Sequence, residues 1–388
     1  MKTITKLFLV GLIALGMTAC SNEDEVKFEG KAESTVSVRV VPSSNGPIVR
    51  AIGDLDGDGI LPAGLEAESA IKTLEVFLFS GESPDGYKSV TDALEVTGIA
   101  THIGPKTMIV VANANIGAVA SLTVLKAKTK ELPVADVLTN GLAMTAEPVT
   151  MSLIGGLNTY GYPVGTDAVQ TISVAAPLKL HRVNARVAIV ADDIGTLPAD
   201  QSAIFDNLKD VQVAMFNVPK TTNLFGTSLA TNADYLFGET WTSALDSYTV
   251  GTAHTAFLDA TVIFPIVKAT APYYYVNENT SIASKEQMMI VLRGKPYKGA
   301  VAVVAEGLYT DAAGYTYYPV WVNATKTGYS YTGDGVTGDS KILRNTQYNI
   351  TLTINKIGNP GIDAPTEATV NVLVEVALWL VVNQGVIW

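Results

Sequence analysis

Cys20 is the only cysteine of the chain, and it closes the run Met17-Thr18-Ala19-Cys20. Before it lie a basic segment, Met1 to Lys6, and a short apolar stretch, Leu7 to Gly16. That order has the form of an export leader. Small residues ahead of a lone cysteine have the form of a lipobox, in which the thiol is diacylated and Cys20 becomes the new N-terminus. The usual leucine of the motif is Met17 here. The apolar stretch falls short of the roughly 20 residues of a membrane helix, and a soluble secreted product is the other reading. With Cys20 spent on lipid, no thiol remains for a nucleophile or an intrachain disulfide, although the leader implies export. Stability must then come from packing.

Arg50 is the second reactive position. Val49-Arg50-Ala51 is an isolated basic site after Pro42-Ser-Ser-Asn-Gly-Pro47, a stretch that breaks regular structure. Asp54-Leu-Asp56-Gly-Asp58-Gly59 follows. Carboxylates at positions 1, 3 and 5 with glycine at 6 match the start of a calcium loop, but position 12 is Leu65 and Glu66 comes one place late. We read it as a tight acidic turn and assign no metal or cofactor. His102, His181 and His254 have no metal-ligand spacing, and no His-Glu-x-x-His, Gly-x-Ser-x-Gly or phosphate loop is present. His181 beside Arg182 reads as a strand residue. No catalytic residue is assigned, and the chain is not expected to be an enzyme. Tyr273-Tyr-Tyr275 and Tyr315-Thr-Tyr-Tyr318 are the residue types that stack on sugars, although aromatic strand faces are the commoner cause of such runs.

The elements around these residues are strands. Ser34-Thr-Val-Ser-Val-Arg-Val-Val41 alternates, with Val36, Val38 and Val40 on one face and Ser37 and Arg39 on the other. At the far end, Val370, Val372, Val374 and Val376 share a face, with Asn371 and Glu375 opposite, and the chain runs apolar to Trp388. Two uses of this tail remain open: a last strand tucked into its own domain, or a strand offered to another molecule. A cut at Arg50 that released strand 34–41 would leave a sheet with an open slot, and the tail has the pattern to fill it.

The chain has 388 residues, enough for about two domains. Hydrophobic residues make up 48%, so large cores can form, and a charged content of 16% argues against a disordered chain. A net charge of −11 argues against nucleic acid as a partner. Short Val/Thr/Ile/Tyr runs between Gly-rich loops read as all-β. Ala118 to Leu138 has helical spacing and predicts one helix. Core strands are expected at 71–80, 108–113, 144–154 and 169–174. Leu178 to Val190 is expected as one long strand, with strands near 209–216, 260–267, 287–292, 300–308, 315–323 and 346–355 after it. The loop at 219–258 is unusually long. The domain reading is a leader over 1–20, a propeptide with a removable strand over 21–50, an N-terminal domain over 51–177 ending at Pro177, and a C-terminal domain over 178–388 that carries the tail 366–388.

Several stretches taken in order resemble the FimA-type major fimbrial subunits, the fimbrillins of type V pili. They include the lipobox end and Arg50-Ala-Ile-Gly53. Leu74-Glu-Val-Phe-Leu-Phe-Ser-Gly-Glu82 and Lys179-Leu-His-Arg-Val-Asn-Ala-Arg-Val187 follow. Met144-Thr-Ala-Glu-Pro148, Asn223-Leu-Phe-Gly226 with Asn232-Ala-Asp-Tyr-Leu236, Tyr317-Tyr-Pro-Val-Trp-Val-Asn323, Arg344-Asn-Thr-Gln-Tyr-Asn-Ile350 and the tail to Trp388 complete the set. The acidic loop after Arg50 departs from the family pattern. The resemblance implies two tandem transthyretin-like Greek-key β-sandwich domains. It implies a lipoprotein precursor, lipidated at Cys20 and carried to the outer membrane. An Arg-specific protease would cut between Arg50 and Ala51. The released strand would be Val36, Val38 and Val40, and the donor strand Val370, Val372, Val374 and Val376. The implied partners are further copies of the chain in a head-to-tail polymer, with anchor and tip subunits, in a cell-surface fimbria that supports adhesion. Burial of the four tail valines is worth about 6–12 kcal/mol, against an association cost of about 4–15 kcal/mol. A monomeric surface lipoprotein that binds glycan or host protein through its tyrosines is the alternative, with a tip or accessory subunit as a further one.

Overall fold

A computed structural model of the chain describes residues 32–42, 68–132, 139–163, 168–173, 176–194, 197–226, 234–238, 258–267, 270–283, 286–325, 329–333, 338–362 and 370–378. Cys20, Arg50, Ala51, the loop Asp54–Gly59 and His254 lie outside these residues. The described chain is nearly all β, with two short helices, as the runs of β-branched and aromatic residues require.

The first half contributes β1 (Ser34–Pro42), β2 (Thr73–Ser80), β3 (Ser83–Thr91), β4 (Glu95–Thr101), β5 (Gly104–Ala112), α1 (Leu122–Lys126), β6 (Thr129–Glu131), β7 (Met144–Thr145), β8 (Val149–Leu153), β9 (Gly156–Tyr160), β10 (Gln170–Ser173) and β11 (Leu178–Arg182). All but β6 join one ten-stranded network, in the order β10-β9-β1-β11-β7-β5-β2-β3, with β4 on β1 and β8 on β5. Period-two alternation in β2 decides its two faces. Leu74, Val76 and Leu78 enter a core with Val36, Val38 and Val40 of β1. Phe77 and Phe79 enter a second cluster under α1, with Leu122, Leu125 and Leu224. Both faces of β2 are therefore covered.

The second half contributes β12 (Asn184–Ile194), α2 (Ala199–Ser202), β13 (Asn207–Phe216), β14 (Val218–Pro219), β15 (Thr221–Asn223), β16 (Tyr235–Leu236), β17 (Asp259–Val262), β18 (Tyr273–Asn277), β19 (Met289–Lys298), β20 (Val301–Ala302), β21 (Thr316–Trp321), β22 (Tyr329–Gly333), β23 (Thr346–Ile354) and β24 (Val370–Leu378). One sheet runs β18-β12-β23-β24-β22 and another β17-β13-β19-β20 with β21 on β19. Alternate residues of both meet in one core: Val187 and Ile189 of β12 and Ile350 and Leu352 of β23, with Val213 of β13 and Ile290 and Leu292 of β19. The small pair β14–β16 and the pair β15–β6 complete the pairing, and the latter joins the two halves.

Three sequence expectations differ from this structure. The helix expected over Ala118–Leu138 is only α1, five residues long, capped by Ser121 Oγ accepting from the Val124 N–H. Thr129–Glu131 then pairs with Thr221–Asn223 instead of continuing the helix, a tertiary override of local preference; residues 133–138 lie outside the described set. The single strand expected over Leu178–Val190 is two strands broken at Val183. β11 pairs with β1 and β7 in the first network, β12 with β18 and β23 in the second. The chain thus crosses between halves at Val183, whereas the boundary drawn at Pro177 assigns β11 to the second half. The strand expected over 300–308 is only Val301–Ala302. Turns closed on the Ala305 carbonyl by the N–H groups of Leu308, Tyr309 and Thr310 follow it. Val301, Val304 and Leu308 are exposed, so their apolar character does not report a core.

Candidate functional site

The site is the slot that β1 occupies. Over Ser34–Val38, β1 lies between β4, antiparallel to it, and β9, parallel to it, and the β4 pairing runs on to Arg39. Val40–Pro42 then turns onto β11, again parallel. One strand therefore ties the β4–β9–β10 side of the network to the β11–β7–β5–β2 side. Val36 and Val38 are wholly buried and Val40 nearly so. Their neighbours in the same core include Val96 and Ile99 of β4, Leu153 of β8 and Leu180 of β11. Loss of the three valines from this core would cost about 5–9 kcal/mol of apolar burial. It would also open an antiparallel-pairing edge on β4 and a parallel-pairing edge on β9.

Polar groups in the slot are aimed at β1. The register on β4 slips between Val36 and Val38, and Gly98, at φ +67°, takes up the bulge. Its N–H donates to Ser37 Oγ at 3.2 Å. Asn158 of β9 is completely buried. Its Nδ2 donates to Ser34 Oγ at 2.8 Å, to the Ile154 carbonyl at 2.9 Å and to the Gly156 carbonyl at 3.1 Å, with a longer approach to the Thr35 carbonyl at 3.4 Å. Its Oδ1 accepts from the Ile154 N–H. Gly161 lies against the Arg39 carbonyl; a Cβ there would come within 2.8 Å of it, so only glycine permits this approach. Arg39 is exposed opposite Glu95.

The tail strand sits elsewhere. β24 pairs antiparallel with β23 and parallel with β22, inside the second half. Val370, Val372, Val374 and Val376 are the register partners of four buried residues of β23: Ile354, Leu352, Ile350 and Tyr348. In the single chain, then, the tail strand is paired in its own domain, and the two sets of valines are not together.

The chain that carries Arg50 returns to described structure at Glu68, which is gripped at the junction of the two halves. Arg186 Nη1 donates to Glu68 Oε1 at 2.8 Å and its Nη2 to Gln347 Oε1 at 2.8 Å. Tyr275 Oη donates to the same Glu68 oxygen at 2.6 Å. Arg182 donates through Nε to the Glu68 carbonyl and through Nη2 to Ser69 Oγ. Both arginines are buried. Burial brings the Arg182 pKa down to about 10, still well above neutrality, and Glu68 opposes the shift. Burial, together with the Glu68 carboxylate, pushes the Tyr275 phenol far up, so it stays a donor. Arg344 adds a second strut: it pairs with Glu278 at 3.0 Å and donates to the carbonyls of Asn223 and Leu224. The pattern Lys179 to Val187 showed two arginines on a strand, but no sequence signal showed that the strand bends at Val183 and buries both.

The remaining sequence candidates are structural. His102 Nδ1 lies 2.5 Å from Asp85, whose other oxygen takes the buried Lys106. Burial lowers the pKa of His181, so the ring is neutral near pH 7; Asn345 is 3.4 Å from its Nδ1. No group of three or more His, Cys, Asp or Glu is arranged to hold a metal among the described residues. Tyr274, Tyr275, Tyr317 and Tyr318 are buried, whereas Tyr273 and Tyr315, the other tyrosines of these runs, are half-buried. No helix among the described residues is long and apolar enough to cross a membrane.

Residues 61–182 match the family model of the major fimbrial subunit protein (FimA), and residues 196–379 match that of the FimA4 pilin C-terminal domain. The major fimbrium subunit FimA type-3 of Porphyromonas gingivalis is 35% identical, over 99% of both chains. The chain belongs to the FimA family of major fimbrial subunits. The type-4 FimA subunit of the same organism is 32% identical, again over 99% of both. The crystal structure of a FimA fimbrilin from P. gingivalis W83 superposes with a TM-score of 0.74 at 26% identity, covering 91% of this chain and 99% of that one. A putative cell adhesion protein of Parabacteroides distasonis shares the fold at 19% identity and a TM-score of 0.62. The first family model ends at residue 182, just before Val183, where the chain passes from one sheet network to the other, and the second begins at residue 196, after β12.

Proposed function

We propose that this FimA-family chain is the polymerising shaft subunit of a cell-surface fimbria, exported as a lipoprotein through Cys20. Proteolysis after Arg50 activates it, and donor-strand exchange through its C-terminal strand links each copy to the next. The observation that carries this reading is the position of β1. It is a core strand with both edges paired, yet it lies on the N-terminal side of Arg50. While it is present, the slot is filled and its edges are protected. A cut at Arg50 severs β1 from the rest of the chain. The vacated slot is then completed by β24 of another copy, a case of strand addition in which main-chain bonds hold and alternate side chains specify. Glu68 and Ser69, gripped by Arg182 and Arg186, hold the remaining N-terminal segment at the domain junction after the cut. The two sandwiches are read as transthyretin-like Greek keys, and tip and anchor subunits end the polymer.

The test uses purified precursor and a trypsin-like protease. Wild type is expected to give ladders on unheated denaturing gels after the cut, with a new N-terminus at Ala51. Arg50→Ala is expected to stay monomeric under the same treatment. Ladders from Arg50→Ala at the wild-type rate would overturn the proposal.

A further inference from the structure

The exchange proposed above leaves open how an incoming tail is placed along the slot, and the slot and the tail together settle it. Residues Thr35-Val-Ser-Val-Arg-Val40 and Thr369-Val-Asn-Val-Leu-Val374 agree at the threonine and at all three valines. Both strands also have the same pair of neighbours by direction. β1 is antiparallel to β4 and parallel to β9; β24 is antiparallel to β23 and parallel to β22. We propose that the tail of a second copy enters in the direction of β1, with Val370, Val372 and Val374 in the places of Val36, Val38 and Val40, and Asn371 in the place of Ser37. The inference rests on the exchange reading and adds the register to it.

The slot rejects the neighbouring registers. A slip of one residue turns the valines out of the core and the polar residues in. A forward slip of two puts Leu373 where Ser37 stands. That place is almost closed to solvent, and the Gly98 N–H there would lose its acceptor. A forward slip of four puts the Glu375 carboxylate in the same closed place, and a buried charge without a partner cation is costly. A backward slip of two puts Ala368 in the place of Val36 and leaves a cavity among the buried β4 and β8 residues. The proposed register avoids all of these. The Asn371 side-chain oxygen accepts from Gly98 as Ser37 does. Leu373 takes the exposed place of Arg39, which makes no demand. Ala368 has no hydroxyl for Asn158, but the carbonyl of residue 369 replaces that of Thr35, and the Ile154 and Gly156 carbonyls stay with their own chain.

Arg39 faces Glu95 across the β1–β4 pair, so the proposed register puts Leu373 opposite Glu95 of the next copy. Facing residues of an antiparallel pair have Cα atoms about 4.5–5.5 Å apart, within disulfide reach. Full-length chains carrying Glu95→Cys with Asn371→Cys, Leu373→Cys or Glu375→Cys are cut after Arg50, which also removes Cys20. They are assembled under reductant and then oxidised. The Leu373→Cys pair is expected to give a disulfide-linked ladder with about ten times the yield of either other pair. A ladder dominated by the Asn371→Cys or the Glu375→Cys pair overturns the register and leaves strand exchange standing. Polymers that form with none of the three crosslinked overturn the proposed register together with both two-residue slips. For any double variant that does not polymerise, a synthetic peptide of residues 366–380 bearing the same single cysteine is added to the cut Glu95→Cys chain. Its crosslink yields decide between the same outcomes.

Discussion

Val38→Ala separates a strand that is later discarded from one that is kept. Val38 has no exposed surface, sits opposite Val96 on β4 and contacts the core shared with Leu74, Val76 and Val110. The change removes two methyl groups, each worth about 0.8 kcal/mol, and leaves a cavity that relaxes only in part. The total cost is about 2–3 kcal/mol. At about 2–4 °C per kcal/mol for a domain of this size, the melting temperature of the precursor should fall by about 4–12 °C. If, as proposed, β1 is lost on assembly and another copy's tail takes its place, the polymer should melt as wild type does. Val110→Ala, on β5 in the same core, serves as the control and should lower both transitions. Calorimetry of the uncut precursor and of the assembled polymer measures each. A polymer of Val38→Ala weakened as much as its precursor would refute the reasoning, because the first strand would then still be in place.

Three more expectations follow from particular contacts. Val374→Asp offers a carboxylate to an apolar slot at a cost of several kcal/mol, so the cut variant should accept a tail but fail to donate one. Mixed with cut wild type, it should shorten chains in proportion to its fraction on gels, and ladders from the variant alone would refute it. Arg186→Ala leaves the Glu68 carboxylate buried without the nitrogen now 2.8 Å away and should lower stability by about 3–5 kcal/mol in denaturant titrations; Arg186→Lys should recover only part, because one ammonium cannot reproduce the two guanidinium nitrogens that hold Glu68 and Gln347. Asp85 supplies the pH dependence: burial raises its pKa, but hydrogen bonds from His102, Lys106 and Thr101 outweigh burial and hold it below the ordinary value. Its contribution is therefore complete above about pH 4, the unfolded value, and is lost as pH falls through the lower folded value; Asp85→Asn should flatten stability against pH across that acid range.

The sequence by itself determined the strand content and which face of each end strand is apolar. Alternation at period two is a local property, and Val36, Val38 and Val40 needed no partner to declare a core face. The single cysteine and the isolated Arg50 were equally local, since composition and spacing alone define them. Tertiary structure decided what non-local pairing decides. The apolar run at Leu178–Val190 reads as one strand because every residue suits one, yet hydrogen bonds to β7 on one side of Val183 and to β18 on the other split it between two sheet networks. Helical spacing after Ala118 yielded to a cross-domain pairing of Thr129–Glu131 that no local window contains. The ion pair at Glu68 joins positions 68, 186 and 347, and only folding reveals that the two arginines have traded water for carboxylate, amide and backbone partners. The same holds for the slot: a row of valines announces a strand, but the edges of β4 and β9 on either side of it exist only once the chain has folded around them.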